Sequence, residues 1–319
     1  MNTVPRSRGV GLRGMAGSGF VRFVVLVEDA VHAVIVMVVR LIGRRQPLII
    51  PFVGYGTPER ARIGARVVLG RRVASAQPVP GLDVPRRRPR MRVLRASLSR
   101  FLTAELPRVP VTIRMAGGAA TTVLSDREGY VDAVVDVPGL DPGWHEVELA
   151  LADGATVPTK LLVVDPRTRI GVVSDIDDTI LETGLTRGLA FLEATLLTEV
   201  DDRAPLPGAA ALYRALVAVP DGHGRPVFYV STSPWNLHEL LMQFIALRGF
   251  PLGPLLLTDW GPGRTGLFRI GAQEHKLTLI RRLLDEHRHL SLVLIGDSGQ
   301  ADPEIYAAVA QESPSRITA

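Results

Sequence analysis

The chain has 319 residues, 46% of them hydrophobic and 22% charged, a globular composition with length for about two domains. Cysteine is absent, which excludes a disulfide framework, a zinc–thiolate site, an iron–sulfur cluster and a cysteine nucleophile, and fits a reducing compartment. The net charge of +5 is uneven: residues 1–110 hold 20 Arg, no Lys and 5 acids, while the remainder is net acidic.

A basic front half favours a polyanionic partner such as an anionic membrane. Because the chain has only two lysines, a codon preference for arginine explains the same excess. Nucleic acid is not expected, since the basic half lacks interleaved aromatics and any known module.

Residues 1–19 are rich in Gly, Ser and Arg and read as a disordered tail. Residues 20–45 are mostly apolar, interrupted by Arg22, Glu28, Asp29, His32 and Arg40. Charges at the centre of a spanning helix cost about 2.5–3.5 kcal/mol each. On a helical wheel these five share one arc of about 120°. The pattern predicts an amphipathic helix that either lies in a membrane interface or packs on the protein's own core.

Residues 46–166 read as a small antiparallel β-sandwich. Gln46–Thr57 is extended and punctuated by Pro and Gly, and residues 75–90 form a basic, Pro-rich loop. Strands are expected at Tyr130–Val137, Glu146–Leu151 and Lys160–Val164, where the apolar period is two. Trp144 and His145 read as core and turn residues rather than a site.

From residue 167 to 319 short β-rich runs alternate with helical patterns. Strands are expected at Ile170–Ser174, Val227–Val230, Pro254–Thr258 and Ser291–Ile295. Helices are expected at Phe191–Val200, Ala209–Val219, Leu237–Leu247, His275–Glu286 and Pro303–Gln311. The alternation implies an α/β fold, a parallel sheet with helices on both faces. Ligands of such sheets bind at the carboxyl ends of the strands.

Those ends carry chemistry. Asp175-Ile176-Asp177-Asp178-Thr179 follows the first strand, Ser231-Thr232-Ser233 the second, and Gly296-Asp297-Ser298 the last; His275-Lys276 opens a helix. The set points to phosphoryl transfer. Converging carboxylates repel each other unless a hard cation sits between them, and Mg2+ suits an all-oxygen site that also binds phosphate. Asp175 is the candidate nucleophile, forming an aspartyl-phosphate, and Asp177 the general acid and base. Ser231 and Lys276 offer a hydroxyl and a positive charge to phosphoryl oxygens, Ser231 in competition with Thr232 and Ser233. Asp302 reads as support for the metal site. Asp178 reads as an outward or capping residue, and Trp235, Trp260 and Phe268 as core, with contact to an acyl chain the alternative.

The strings SDIDDTIL, FYVSTSPWNL, GFPLGPLLL, HK and LIGDSGQADPEIYA together resemble the catalytic domain of the actin-patch-associated phosphatidate phosphatase family, within the haloacid dehalogenase superfamily. The resemblance implies a haloacid-dehalogenase-like fold and Mg2+-dependent hydrolysis of phosphatidate to diacylglycerol and phosphate. It implies Asp175 and Asp177 as catalytic, Thr179, Ser231 and Lys276 as phosphate-binding, and Asp175, Asp177, Asp297 and Asp302 at the metal. Substrate choice would rest on a cap, Leu181–Pro226, and on membrane docking. The expected setting is the cytoplasm, with a peripheral hold on the inner face of the membrane. A soluble phosphomonoesterase of the same mechanism and a non-enzymatic membrane adaptor are the alternatives.

Overall fold

The computed structural model describes residues 46–70, 104–115, 120–177, 179–180, 206–219, 224–258, 272–298 and 300–319. The expected tail, amphipathic helix, basic loop and helix at Phe191–Val200 lie outside the described residues, as do Asp178, Trp260, Phe268 and most of the expected cap.

The N-terminal part forms one hydrogen-bonded sheet of nine strands: β1 (Gln46–Pro51), β2 (Gly54–Gly56), β3 (Arg60–Gly70), β4 (Ala104–Glu105), β5 (Pro110–Met115), β6 (Thr121–Leu124), β7 (Tyr130–Asp136), β8 (Gly143–Leu151) and β9 (Thr156–Val163). This corrects the expectation of two facing antiparallel sheets. The 11-residue β3 pairs with β1, β2, β4 and β7 and so joins what would otherwise be separate layers. One pairing, β2 with β9, is parallel. The curled sheet closes over a core that includes Ile63, Val67, Val111, Ile113, Leu149 and Leu161. Alternation along β7, buried at Val131, Ala133 and Val135 and exposed between them, matches its period of two. Trp144 stands 41% exposed at the start of β8, not in the core. His145 ties its turn through Nε2 to the carbonyl of Asp141 at 2.7 Å.

The second sheet has four parallel strands in the order β12 (Leu255–Thr258), β11 (Val227–Pro234), β10 (Ile170–Ser174), β13 (Ser291–Ile295). The helices are α1 (Ala209–Val217), α2 (His238–Leu247, after a one-turn 3-10 helix), α3 (Ala272–Glu286) and α4 (Asp302–Glu312). Alternate strand residues serve opposite faces: Val172, Val227 and Tyr229 pack toward α1 and α2, whereas Val173, Phe228 and Val230 pack toward α3 and α4. Both faces are therefore apolar, as a covered parallel sheet requires.

The two sheets share this packing. Tyr55 of β2, Leu162 of β9 and Val164 belong to the cluster under α3 and α4. Phe52 stacks on Trp235 at 4.3 Å and against His238 at 4.4 Å. Arg62 of β3 donates to Glu286 of α3 at 2.7 Å and to Asp132 at 2.6 Å. Trp235 is thus joined to the N-terminal sheet by aromatic packing.

Two histidines are caught in this junction. Burial lowers His238 to about 3 and His287 to about 4, the latter also beside His289. Both values lie below the unfolded value of about 6.5, so above that pH neither state binds a proton and nothing is lost. As pH falls toward 4 only the unfolded chain takes up the two protons. Stability is expected to fall by up to about 2.7 kcal/mol per pH unit from this pair. Urea midpoints at pH 7 and pH 5 check it: the drop should shrink in His238→Phe and His287→Phe, and an unchanged drop in both would refute the assignment.

Candidate active site

The sequence places Asp175 one residue past β10, where its backbone N–H still donates to the carbonyl of Ile295 of β13 at 2.8 Å. Its side chain, 2% exposed, receives Lys276 Nζ on Oδ1 at 2.7 Å and Thr179 Oγ1 on Oδ2 at 3.2 Å. Lys276 projects from the first turns of α3, itself 2% exposed, and also donates to Asp302 Oδ1 at the start of α4. The other oxygen of Asp302 accepts the backbone N–H of Asp297 at 3.1 Å. Asp302 therefore links the Lys276 ammonium to the loop after β13.

This close approach needs Gly296. A Cβ there would lie 2.2 Å from Asp302 Oδ2 and 2.7 Å from the ring of Tyr306. Tyr306 in turn anchors the end of β13, donating from its hydroxyl to the carbonyl of Ile295 at 3.0 Å.

Asp177, also buried, faces the end of β11. Its Oδ2 accepts Ser231 Oγ at 2.7 Å and Ser233 Oγ at 2.9 Å. Its backbone carbonyl accepts Gln300 Nε2 at 3.0 Å. Behind the nucleophile candidate, Ser174 Oγ donates to the carbonyl of Asp175 at 2.6 Å and bonds the hydroxyl of Tyr213 from α1 at 2.6 Å.

Asp175, Asp177, Thr179, Ser231, Lys276 and Asp302 are thus brought together at the carboxyl ends of β10 and β11. Asp297 joins them through its backbone. Ser231 points its hydroxyl at Asp177. Sequence reasoning left Ser233 as a competitor of Ser231 and missed Tyr213, Gln300 and Tyr306. The spacing of Ser231 and Ser233 carried a signal, since residues two apart on a strand share a face.

Charge is out of balance. Asp175 feels one ammonium, Lys276, and two further carboxyls, Asp177 and Asp302. Asp175 is pushed up to about 8, by burial above all and then by Asp177 and Asp302, against the downward pull of Lys276. Burial alone would lower Lys276, but the carboxylates of Asp175 and Asp302 raise it, so it stays an ammonium. The donors are hard oxygens with surplus negative charge, a set whose chemistry fits Mg2+. Among the described residues no three His, Asp or Glu side chains are gathered to hold a metal. Mg2+ commonly takes only one or two carboxylates, with substrate phosphate and water completing its shell.

Residues 170–319 match the family described as Phosphatidate phosphatase APP1, catalytic domain. That segment, a little under half of the chain, is similar to this catalytic-domain family. It contains every residue of the cluster above. Phosphatidate phosphatase APP1 of Saccharomyces cerevisiae is 31% identical over 150 residues, 47% of this chain and 25% of that protein. The protein C29B5.04c of Schizosaccharomyces pombe is 31% identical over 213 residues, 62% of this chain and 34% of its own length. The chain thus spans about a quarter to a third of the curated relatives it matches. A likeness to the flavohemoglobin of Malassezia yamatoensis has a TM-score of 0.20 and 13% identity, over 88% of this chain and 60% of that one, and it bears on neither fold nor function.

Proposed function

We propose that the chain is a Mg2+-dependent phosphatase that hydrolyses phosphatidate to diacylglycerol and phosphate, on a haloacid-dehalogenase-like domain spanning about residues 167–319. The observation that carries this reading is the buried Asp175–Lys276–Asp302 chain beside Asp177, inside the segment that matches the family. The name of the yeast relative supplies the substrate.

In this reading an Asp175 carboxylate oxygen attacks phosphorus, and the bond to the leaving oxygen breaks. Asp177 gives that oxygen its proton, so the alcohol departs neutral. An aspartyl-phosphate remains on Asp175. Asp177, now a base, takes a proton from water; the water oxygen attacks phosphorus, and phosphate leaves with Asp175 restored. Lys276 neutralises phosphoryl charge, and Thr179 and Ser231 would donate to phosphoryl oxygens by turning their hydroxyls away from Asp175 and Asp177 when phosphate is bound. Asp175, Asp177 and Asp297 would hold Mg2+, with Asp302 fixing the Asp297 backbone. When bound, the ion supplies positive charge to the phosphoryl oxygens and offsets the carboxylate excess. The setting we infer is the cytoplasmic side of an anionic membrane, held by residues 20–45 and the basic front half. Among the described residues no helix is long and apolar enough to cross a membrane.

Phosphate release from phosphatidate in mixed micelles, with Mg2+ and with EDTA, tests the reading. Release that needs Mg2+ supports it. Release from a soluble phosphomonoester but not from phosphatidate keeps the mechanism and removes the lipid substrate. No release from either substrate removes the enzyme.

A further inference from the structure

We propose that Ser233 is a positioning residue that aims the carboxyl of Asp177 during proton transfer. The proposal rests on the acid–base role assigned to Asp177 above. Ser233 is 4% exposed, and its hydroxyl donates to Asp177 Oδ2 at 2.9 Å. Ser231 donates to the same oxygen at 2.7 Å. Ser233 acts a second time through its backbone, whose N–H donates to Ser231 Oγ at 2.9 Å. That bond occupies a lone pair of Ser231 Oγ and turns its hydroxyl proton toward Asp177.

The local backbone favours this arrangement. The pairing of β11 with β12 loses regular register between Val230 and Pro234, and such irregularities re-aim side chains beside active sites. Ser231 and Ser233, two residues apart, present hydroxyls to one carboxyl. Thr232 between them is only partly buried.

The chemical consequence follows from which oxygen is held. An oxygen that accepts two hydroxyl donors is an acceptor, so the transferable proton belongs on Asp177 Oδ1. Two bonds to Oδ2 also fix the carboxyl rotation and hence the direction in which Oδ1 presents that proton. Removing the Ser233 hydroxyl frees the rotation by one anchor. Misplacement of a catalytic group by about 1 Å costs up to about 10²-fold in rate. In the first step the loss should appear only where leaving-group protonation limits; the base role of Asp177 in the second step is common to every substrate.

Ser233→Ala is therefore compared with wild type on an alkyl phosphomonoester, a poor leaving group, and on p-nitrophenyl phosphate, a good one. The expected result is a kcat/KM, which covers only the steps through aspartyl-phosphate formation, lower by about 10-fold on the alkyl ester and by less than about 2-fold on the aryl ester. Ser233→Thr, which keeps the hydroxyl, should recover most of the alkyl-ester rate. Asp177→Asn should show the same selectivity more strongly, and the double variant should be no worse than Asp177→Asn alone. If Ser233→Ala melts well below wild type, Ser233→Cys, of similar volume with a weaker donor, is read on the same two substrates. Equal losses on both substrates, beside a selective Asp177→Asn, overturn the role of Ser233 alone. An unselective Asp177→Asn removes the acid assignment and the proposal with it.

Discussion

Asp175→Asn is expected to abolish phosphate release, by on the order of 10³-fold or more, while leaving the fold intact. The amide is nearly isosteric with the carboxyl, so the cavity is unchanged. Its oxygen still accepts Lys276 Nζ, and Lys276 keeps its bond to Asp302. What is lost is the negative oxygen that attacks phosphorus in the proposed reaction. Removing it also relieves a site in which burial and the neighbouring Asp177 and Asp302 all work against the ionised Asp175. The melting temperature should hold or rise. Phosphate release and a thermal melt on one preparation decide the matter: wild-type turnover in the variant would end the nucleophile assignment, and a collapsed melt would make the lost turnover uninformative about it.

Lys276→Met is expected to have the largest effect on stability. Lys276 bridges Asp175 and Asp302 with all three side chains almost wholly inaccessible. Methionine fills the space of the stem but leaves the carboxylates with no cation. Removing one partner of a buried ion pair typically costs about 3–5 kcal/mol. For a chain of this size that is a fall in melting temperature on the order of 10 °C. The pH dependence separates charge from packing. In the variant Asp175, already raised above the unfolded value of about 3.9 by burial, loses the cation that pulls it down, so its folded-state proton is held to a higher pH. Wild-type Asp175 ionises near pH 8 beside Lys276 while the variant's stays protonated, so the gap to wild type should be wider at pH 9 than at pH 6. Adding Asp302→Asn to Lys276→Met should recover part of the loss. A gap of equal size at both pH values would mark a packing defect and refute the electrostatic account.

The segment that matches the family does not stand apart from the sheet that precedes it. The family match begins at residue 170, yet Tyr55, Leu162 and Val164 complete the core under α3 and α4. Phe52 and Tyr130 reach Trp235, two residues beyond Ser233, at centroid distances of 4.3 and 5.8 Å.

Local sequence determined much of this. Apolar runs ended by Asp, Ser or Gly located β10 and β13 at their observed bounds, because a doubly covered parallel strand must be apolar on both faces. The helical period located α2 and α4 to within a residue or two, and α3 starts earlier than its pattern suggested. The rule that ligands meet the carboxyl ends of strands picks out Asp175, Asp177 and Ser231, and Lys276 stands out as one of only two lysines, at the start of a helix. Tertiary structure decided the rest. β3, broken by Gly64 and by the buried Arg66, has no clean period and is a strand because four others pair with it. The single curled sheet, in place of a sandwich, follows from that pairing. The bond from Lys276 to Asp302 spans 26 positions and that from Ser233 to Asp177 spans 56. No local pattern encodes such partners; they meet because the parallel sheet delivers the ends of distant strands to one edge.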